Sequence, residues 1–147
     1  MQNLQQHIDN FITRCKENGL SVTPQRISIY KALLANNLHP SPDMVYAEIK
    51  KENPNISFAT VYKTLETFEK QGFIKKVTPL HNTVRYDIVT ENHQHLVCVK
   101  CGKITDIEIE ELSRINIDPK ILQNNLLLDY NINFNVICEE CQKKQNN

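Results

Sequence analysis

Apolar residues recur at helical spacing through the first half of the chain. Leu4, Ile8, Phe11, Ile12 and Cys15 fall three and four positions apart, which predicts an amphipathic helix over residues 4–17, ended by Gly19. Thr23 and Pro24 are the residue types of an N-cap and a first helical position, and Ile27, Tyr30, Leu33 and Leu34 form the stripe of a second helix. His39-Pro40-Ser41-Pro42 is a rigid connector. Ser41 or Asp43 starts a third helix with Met44, Val45 and Ile49 inward, and Asn53-Pro54-Asn55 stops it. Ser57 caps a fourth helix, whose inward line is Val61, Leu65 and Phe68 and whose stop is Gly72.

The period then changes. Two strand-like runs, Phe73–Thr78 and Thr83–Val89, flank a His81-Asn82 turn. Three helices followed by a hairpin is the winged helix-turn-helix order, here preceded by one extra helix. The chain changes character near Thr90. His95–Val99 and Lys103–Glu108 predict strands joined at Cys101-Gly102. Pro119 limits residues 109–125 to short helical pieces. Ile132, Phe134 and Val136 alternate with asparagines as a half-buried strand, and Gln142–Asn147 reads as a frayed tail. The expected fold class is α+β, with a winged-helix domain over residues 1–89 and a small α/β domain over residues 90–147.

With 40% apolar and 23% charged residues, the 147-residue chain has the composition of a soluble globular protein. It opens without a signal-peptide run, and no stretch approaches the roughly 18–20 apolar residues of a membrane span. A cytoplasmic location without a membrane partner is expected. Net charge is zero, but residues 1–90 carry 11 Lys/Arg against 8 Asp/Glu, and residues 91–147 carry 6 against 9. The excess of positive charge lies in the domain expected to meet nucleic acid.

Four of the five cysteines form two pairs, Cys98-Val-Lys-Cys101 and Cys138-Glu-Glu-Cys141, with 36 residues between them. Four thiolates match the tetrahedral preference of zinc, and the intervening strands must bring the pairs together. The competing readings are a redox pair or unrelated buried thiols, but no thioredoxin-like pattern accompanies them. Cys15 reads as core. On the fourth helix, Thr60, Tyr62, Lys63 and Thr67 can lie on the open side, where hydroxyls, an aromatic ring and an ammonium suit a DNA groove. The competing reading is a solvated face. Ser57 starts that helix at an end that favours phosphate, and Lys75, Lys76 and Arg85 add positive charge along the wing.

A second set of ligand-type residues remains. His93 and His95 share a face if the segment is extended, Asp106 lies on the next strand, Asp87 ends the wing and His39 sits in the connector. Three histidines and two aspartates make an N/O site suited to iron, manganese or zinc; separately, each is an ordinary surface residue. A metallohydrolase would need a general base beyond these ligands. None is evident, so the chain is not expected to be an enzyme.

The segments Thr23-Pro24-Gln25-Arg26, His39-Pro40, Ser57-Phe-Ala-Thr-Val-Tyr-Lys-Thr-Leu, Arg85-Tyr86-Asp87 and His93-Gln-His95-Leu-Val-Cys98-Val-Lys-Cys101-Gly-Lys resemble the ferric-uptake-regulator (Fur) family over nearly the whole chain. The resemblance implies a homodimeric repressor whose C-terminal α/β domain dimerises and which binds inverted-repeat DNA when a regulatory metal is bound. It implies DNA contacts at Thr60, Tyr62 and Lys63, with Ser57 and Arg26 beside them. It also implies structural Zn(II) on Cys98, Cys101, Cys138 and Cys141, and regulatory Fe(II) or Mn(II) on His39, Asp87, His93, His95 and Asp106. The peroxide-sensing branch of the family (PerR) has Asp at the position of Asp87, where iron sensors typically have Glu. Many iron sensors also carry a further site, with an acidic residue where this chain has Gln94. The implied chemistry is oxidation of His39 or His93 to 2-oxo-histidine by hydrogen peroxide at ferrous iron, with release of metal and DNA. The alternative is an iron- or zinc-responsive repressor without that chemistry. Residues 109–131 match the family poorly, and the dimerisation helix is expected to be short or broken at Pro119.

Overall fold

Asn3 opens the first helix by accepting the Gln5 N–H, and α1 runs Leu4–Glu17. It is followed by α2 (Pro24–Ala35), α3 (Pro42–Glu52) and α4 (Phe58–Lys70). The computed structural model describes residues 3–35, 39–77, 84–89 and 91–146. Caps are where the side-chain chemistry puts them: Thr23 Oγ1 accepts the Arg26 N–H, Ser41 the Met44 N–H and Ser57 the Thr60 N–H. Gly72 ends α4 with φ +74°, a backbone state that only glycine adopts cheaply. This lets the Phe73 N–H reach back to Phe68 O, and Phe73 turns into the core edge-on to Phe68.

These helices enclose one apolar core. Phe11 of α1 is fully buried, stacked on Tyr30 at 4.1 Å and edge-on to Phe68 and Phe73. The extra helix is therefore integral to the domain. On α2 the buried residues are Ile29, Tyr30, Ala32 and Leu33, while Ile27 and Leu34 are only partly buried. The single stripe expected from spacing is corrected here, because α2 packs against α1, α3 and α4 and so is apolar over more than one face. Met44, expected inward, is half-buried and lays its sulfur beside Arg85.

The wing strands are shorter than their apolar runs. β1 (Lys75–Val77) pairs antiparallel with β2 (Arg85–Asp87), Lys75 opposite Asp87. The expected turn at His81-Asn82 lies outside the described residues. The described residues form two units, one up to residue 77 together with 84–89 and the other 91–146. In the second unit, β3 (Gln94–Cys98) is central, antiparallel to β4 (Ile104–Ile107) and parallel to β5 (Ile132–Val136). A parallel pair needs a long crossover. Its only regular helix among the described residues is α5 (Glu110–Ser113). The rest is held by Tyr130, whose hydroxyl lies 3.0 Å from Ser113 O and accepts the Ile115 N–H.

Two expectations for this unit change. Strand β5 half-buries Ile132 and Val136 as expected but leaves Phe134, between them on the same face, 37% exposed. The polar tail is a helix, α6 (Glu139–Gln145), rather than frayed: acidic residues fill its first turn, Lys143 and Lys144 its last, and Lys143 pairs with Glu139.

Candidate functional site

Strand pairing assembles the cysteines. The register sets Cys98 opposite Val136, so the chain after β5 reaches the turn after β3. Gly102, at φ +74°, donates its N–H to Cys98 O, and the Cys98 N–H goes to Lys103 O, closing the first knuckle. The second knuckle begins α6: Cys138 is its N-cap residue and directs its own N–H at Cys98 Sγ, 3.4 Å away. Cys98, Cys101, Cys138 and Cys141 place their sulfurs within 4.8 Å of one another, with Cys101 Sγ and Cys138 Sγ 3.8 Å apart.

That spacing tests what the cluster can hold. Disulfide sulfurs stand roughly 2.05 Å apart. Two sulfurs bonded tetrahedrally to one ion at roughly 2.3 Å stand roughly 3.8 Å apart. Backbone N–H groups of Cys138 and Cys101 hold the Cys98 thiol down to about 6, whereas hydrogen bonding to the Cys138 thiol pushes Cys141 up to about 12. Four thiols this close cannot all ionise on their own. A doubly charged soft cation removes the conflict, and the donor set fits one.

His39 and Asp87 belong to the first unit, and His93, His95 and Asp106 to the second. In the first unit, Tyr86 of β2 donates its N–H to Pro40 O, which pins the connector carrying His39. His39 Nε2 then lies 3.5 Å from Asp87 Oδ2, both residues buried. The other oxygen of Asp87 accepts the Val89 N–H at 2.8 Å, which fixes the carboxylate. In the second unit, β3 and β4 set His95 opposite Asp106. His93 and His95 share a face, rings 4.6 Å apart, and each Nε2 lies 3.4 Å from Asp106 Oδ1.

These nitrogen–oxygen distances are long for hydrogen bonds between such groups. They suit two ligands each roughly 2.1 Å from a shared ion, which stand roughly 3.0–3.4 Å apart. His93 adds a tautomer argument. Its Nδ1 lies 2.8 Å from Glu91 O, and a carbonyl only accepts, so Nδ1 carries the proton. In the neutral ring Nε2 then directs a lone pair toward Asp106, an arrangement that a cation between them makes favourable. Ligating histidines commonly donate their other ring N–H in this way. Gln94 faces away from this pair, buried, and its Oε1 accepts the Ile109 N–H at 2.7 Å. The residue between the histidines thus ties the chain after β4 to the sheet.

On α4, Tyr62 and Lys63 are exposed and Thr60 is half-buried. Ser57 Oγ and Thr60 Oγ1 bond each other at 2.8 Å, and Tyr62 stacks on Phe58 at 6.1 Å. Phe58, 40% exposed, was missed in the sequence; an apolar residue directly after an N-cap was the available signal. Arg26 is occupied by Ser21 O at 2.6 Å. The wing charges need correction. Lys76 pairs with Glu69 at 2.9 Å, which holds its ammonium above the usual value, and Arg85 turns to His39 O and Met44. Each found a partner that spacing alone could not show.

A helical unit with a two-stranded wing, followed by a sheet unit bearing a four-cysteine cluster, defines a class of metal-responsive transcriptional regulators, not enzymes. Residues 17–135 match the Ferric uptake regulator family, and the chain belongs to it. It is 31% identical over 144 residues to the peroxide-responsive repressor PerR of Staphylococcus saprophyticus, covering 98% of this chain and 97% of that one. The structure resembles the ferric uptake regulator Fur of Helicobacter pylori, described as having three functional metal-binding sites, with TM-score 0.73 and 28% identity over 96% of this chain and 95% of that one. It also resembles the peroxide stress regulator of Campylobacter jejuni, with TM-score 0.63 and 34% identity over 96% and 100%. Among the described residues no helix is long and apolar enough to cross a membrane.

Proposed function

We propose that this protein is a peroxide-sensing repressor that binds inverted-repeat DNA as a homodimer in the cytoplasm. The observation that carries the reading is the identity of the donors. Soft thiolates on Cys98, Cys101, Cys138 and Cys141 suit structural Zn(II), and a set made only of nitrogen and oxygen suits Fe(II) or Mn(II). His93, His95 and Asp106 are two histidines and a carboxylate, a combination that holds Fe(II) with positions open. His39 and Asp87 would take two of these. Five such donors would hold a divalent ion while leaving it accessible to a small reactant.

An ion drawing on both sets would tie the DNA-binding unit to the second unit. It would thereby select one angle between the paired recognition helices, and only a matching angle lets both reach major grooves at a fixed half-site spacing. Inverting such an equilibrium from about 1:99 to 99:1 takes roughly 5.5 kcal/mol of differential binding, within reach of several metal–ligand bonds made in one state only. Thr60, Tyr62 and Lys63, with Ser57 and Arg26 at the flanks, are the proposed DNA contacts. The exposed apolar residues Leu126, Leu128 and Phe134 support a second copy as the dimer partner.

Bound ferrous iron would supply the reduction of hydrogen peroxide, and His39 and His93 are the side chains that would carry the added oxygen. Asp87, in place of the longer glutamate, supports this branch, as do relatives such as the staphylococcal PerR. The test is mass spectrometry of the iron-loaded protein after peroxide. One added oxygen is expected on the peptide holding His39 or His93, together with loss of DNA binding. Unmodified peptides with DNA binding intact would sink the reading. The higher TM-score to the Helicobacter pylori Fur favours a second reading, an iron- or zinc-responsive repressor. There DNA binding follows metal concentration and ignores peroxide.

A further inference from the structure

His39 is held in a backbone state that it would not choose. Its φ is +51°, the left-handed region, which residues with a Cβ adopt uncommonly and which in a buried residue needs support from its surroundings. Two hydrogen bonds give it here. Arg85 Nη1 donates to His39 O at 3.2 Å, and the Tyr86 N–H donates to Pro40 O at 3.0 Å. Both donors belong to the two residues that precede Asp87 on β2. The same Arg85 nitrogen lies 3.3 Å from Met44 Sδ in the first turn of α3. Arg85 thus joins three pieces of the first unit: the wing strand, the connector and the start of α3.

A charged donor on a carbonyl makes a stronger, more directional bond than a neutral one. Holding that carbonyl restrains the backbone at His39, and so narrows the directions in which its Cα–Cβ bond can carry the ring. That ring ends 3.5 Å from Asp87 Oδ2. The short strand Arg85–Asp87 therefore supplies one candidate ligand and also holds the other. We propose that Arg85 is a positioning residue for the regulatory metal: by clamping the His39 carbonyl it presets the His39–Asp87 pair and so raises affinity for the divalent ion. This rests on the reading of His39 and Asp87 as ligands.

Two simpler roles predict different behaviour. A stability staple would lower the melting temperature of the protein lacking the regulatory metal. A phosphate contact would weaken DNA binding at saturating metal and leave metal affinity alone. The experiment is Mn(II) titration of the zinc-loaded full chain, with free Mn(II) read by electron paramagnetic resonance, alongside thermal melts without Mn(II). The variants are Arg85→Met, Arg85→Lys and His39→Ala. Arg85→Met is expected to weaken Mn(II) binding about 10- to 100-fold, the range for outer-shell partners of metal ligands. Arg85→Lys should recover part of it, and both melts should stay near wild type.

Wild-type affinity in Arg85→Met, with weakened binding in His39→Ala, overturns the positioning role and leaves the ligand reading standing. Wild-type affinity in His39→Ala overturns the ligand reading itself. If Arg85→Met fails to fold, Arg85→Lys decides: weaker Mn(II) binding at an unchanged melting temperature supports the clamp, and unchanged binding overturns it.

Discussion

Cys101 Sγ lies 3.8 Å from Cys138 Sγ although 37 positions separate the two residues. The parallel pairing of β3 with β5 makes this contact possible. Closing so long a loop costs chain entropy, and the crossover between the strands brings little regular structure to offset it. A metal bonded to both knuckles would act as the cross-link that keeps β5 in register.

Removing that cross-link should therefore cost the second unit its fold. Structural zinc contributes on the order of 10–16 kcal/mol apparent, as much as the whole net stability of many domains, about 5–15 kcal/mol. Thiol titration of the native protein is expected to find no freely reactive sulfur. Chelator should then release the four clustered thiols, and Cys15 should follow only in denaturant, since it is fully buried. Four thiols reacting before chelator is added would show that the cluster holds no metal.

In the first unit the core is the vulnerable part. Phe11 is 1% exposed and meets three aromatic rings. Phe11→Ala should destabilise the protein by about 3–5 kcal/mol, the usual cost of truncating a buried phenylalanine. Urea unfolding followed by far-UV circular dichroism measures it. A loss under about 1 kcal/mol would mean that α1 is an appendage instead of a core helix.

Much of this architecture was legible in the sequence, and the failures share a cause. Helices α1 and α4 each have one apolar stripe, and Phe11, Val61 and Leu65 announce it. Caps such as Ser41 and Ser57 act locally and were readable for that reason. The second helix packs on three neighbours, which no periodicity on α2 alone contains. Arg85 and Lys76 read as free charges because their partners, His39 O and Glu69, are settled by tertiary packing. The ligand types could be listed from the sequence. That His93 Nδ1 would face Glu91 O, and that Gln94 would bond Ile109, could not.

Tyr86 gives a pH-dependent prediction. Its ring is buried, and its hydroxyl finds no hydrogen-bond partner among the described residues. Burial, helped by the charge of nearby groups, pushes its pKa from 10.0 up to about 12. The folded state therefore favours the neutral phenol. The stability linked to this group is complete below pH 10 and is lost as pH rises toward 12. Tyr86→Phe should gain about 1 kcal/mol at neutral pH, by removing a desolvated hydroxyl, and should flatten the fall in stability across that alkaline window. Urea midpoints at neutral and alkaline pH test both parts, and a destabilised Tyr86→Phe variant would contradict the first.

The proposed DNA contacts on α4 offer a cleaner separation of roles. Lys63 is exposed, and its ammonium suits a phosphate. Lys63→Ala should weaken binding about equally on all sequences and lower the salt slope of affinity by about 1. Tyr62 is stacked on Phe58 and presents an aromatic surface suited to a thymine methyl. Tyr62→Ala should reduce discrimination between operator and random DNA by about 1–3 kcal/mol while sparing the salt slope. Gel shifts at several salt concentrations read both. A salt slope unchanged in Lys63→Ala would remove Lys63 from the phosphate contacts.

Asp87 decides between the two readings of the sensor. One carboxylate oxygen is committed to the Val89 N–H at 2.8 Å, and the other faces His39 Nε2 at 3.5 Å. A glutamate is one methylene longer and would shift its carboxylate relative to both partners while keeping the same donor type. If the shorter side chain tunes an iron site for reaction with peroxide, Asp87→Glu should keep Mn(II)-dependent DNA binding. It should also cut the rate at which peroxide releases DNA from the iron-loaded protein by about tenfold or more, since a misplacement of about 1 Å at a reacting centre can cost about 100-fold. The measurement is operator release over time after a peroxide pulse, in wild type and variant loaded with the same metal. Equal release rates would separate Asp87 from the sensing chemistry. Release in neither protein, with DNA binding following metal concentration alone, would instead place the chain among the metal-responsive repressors.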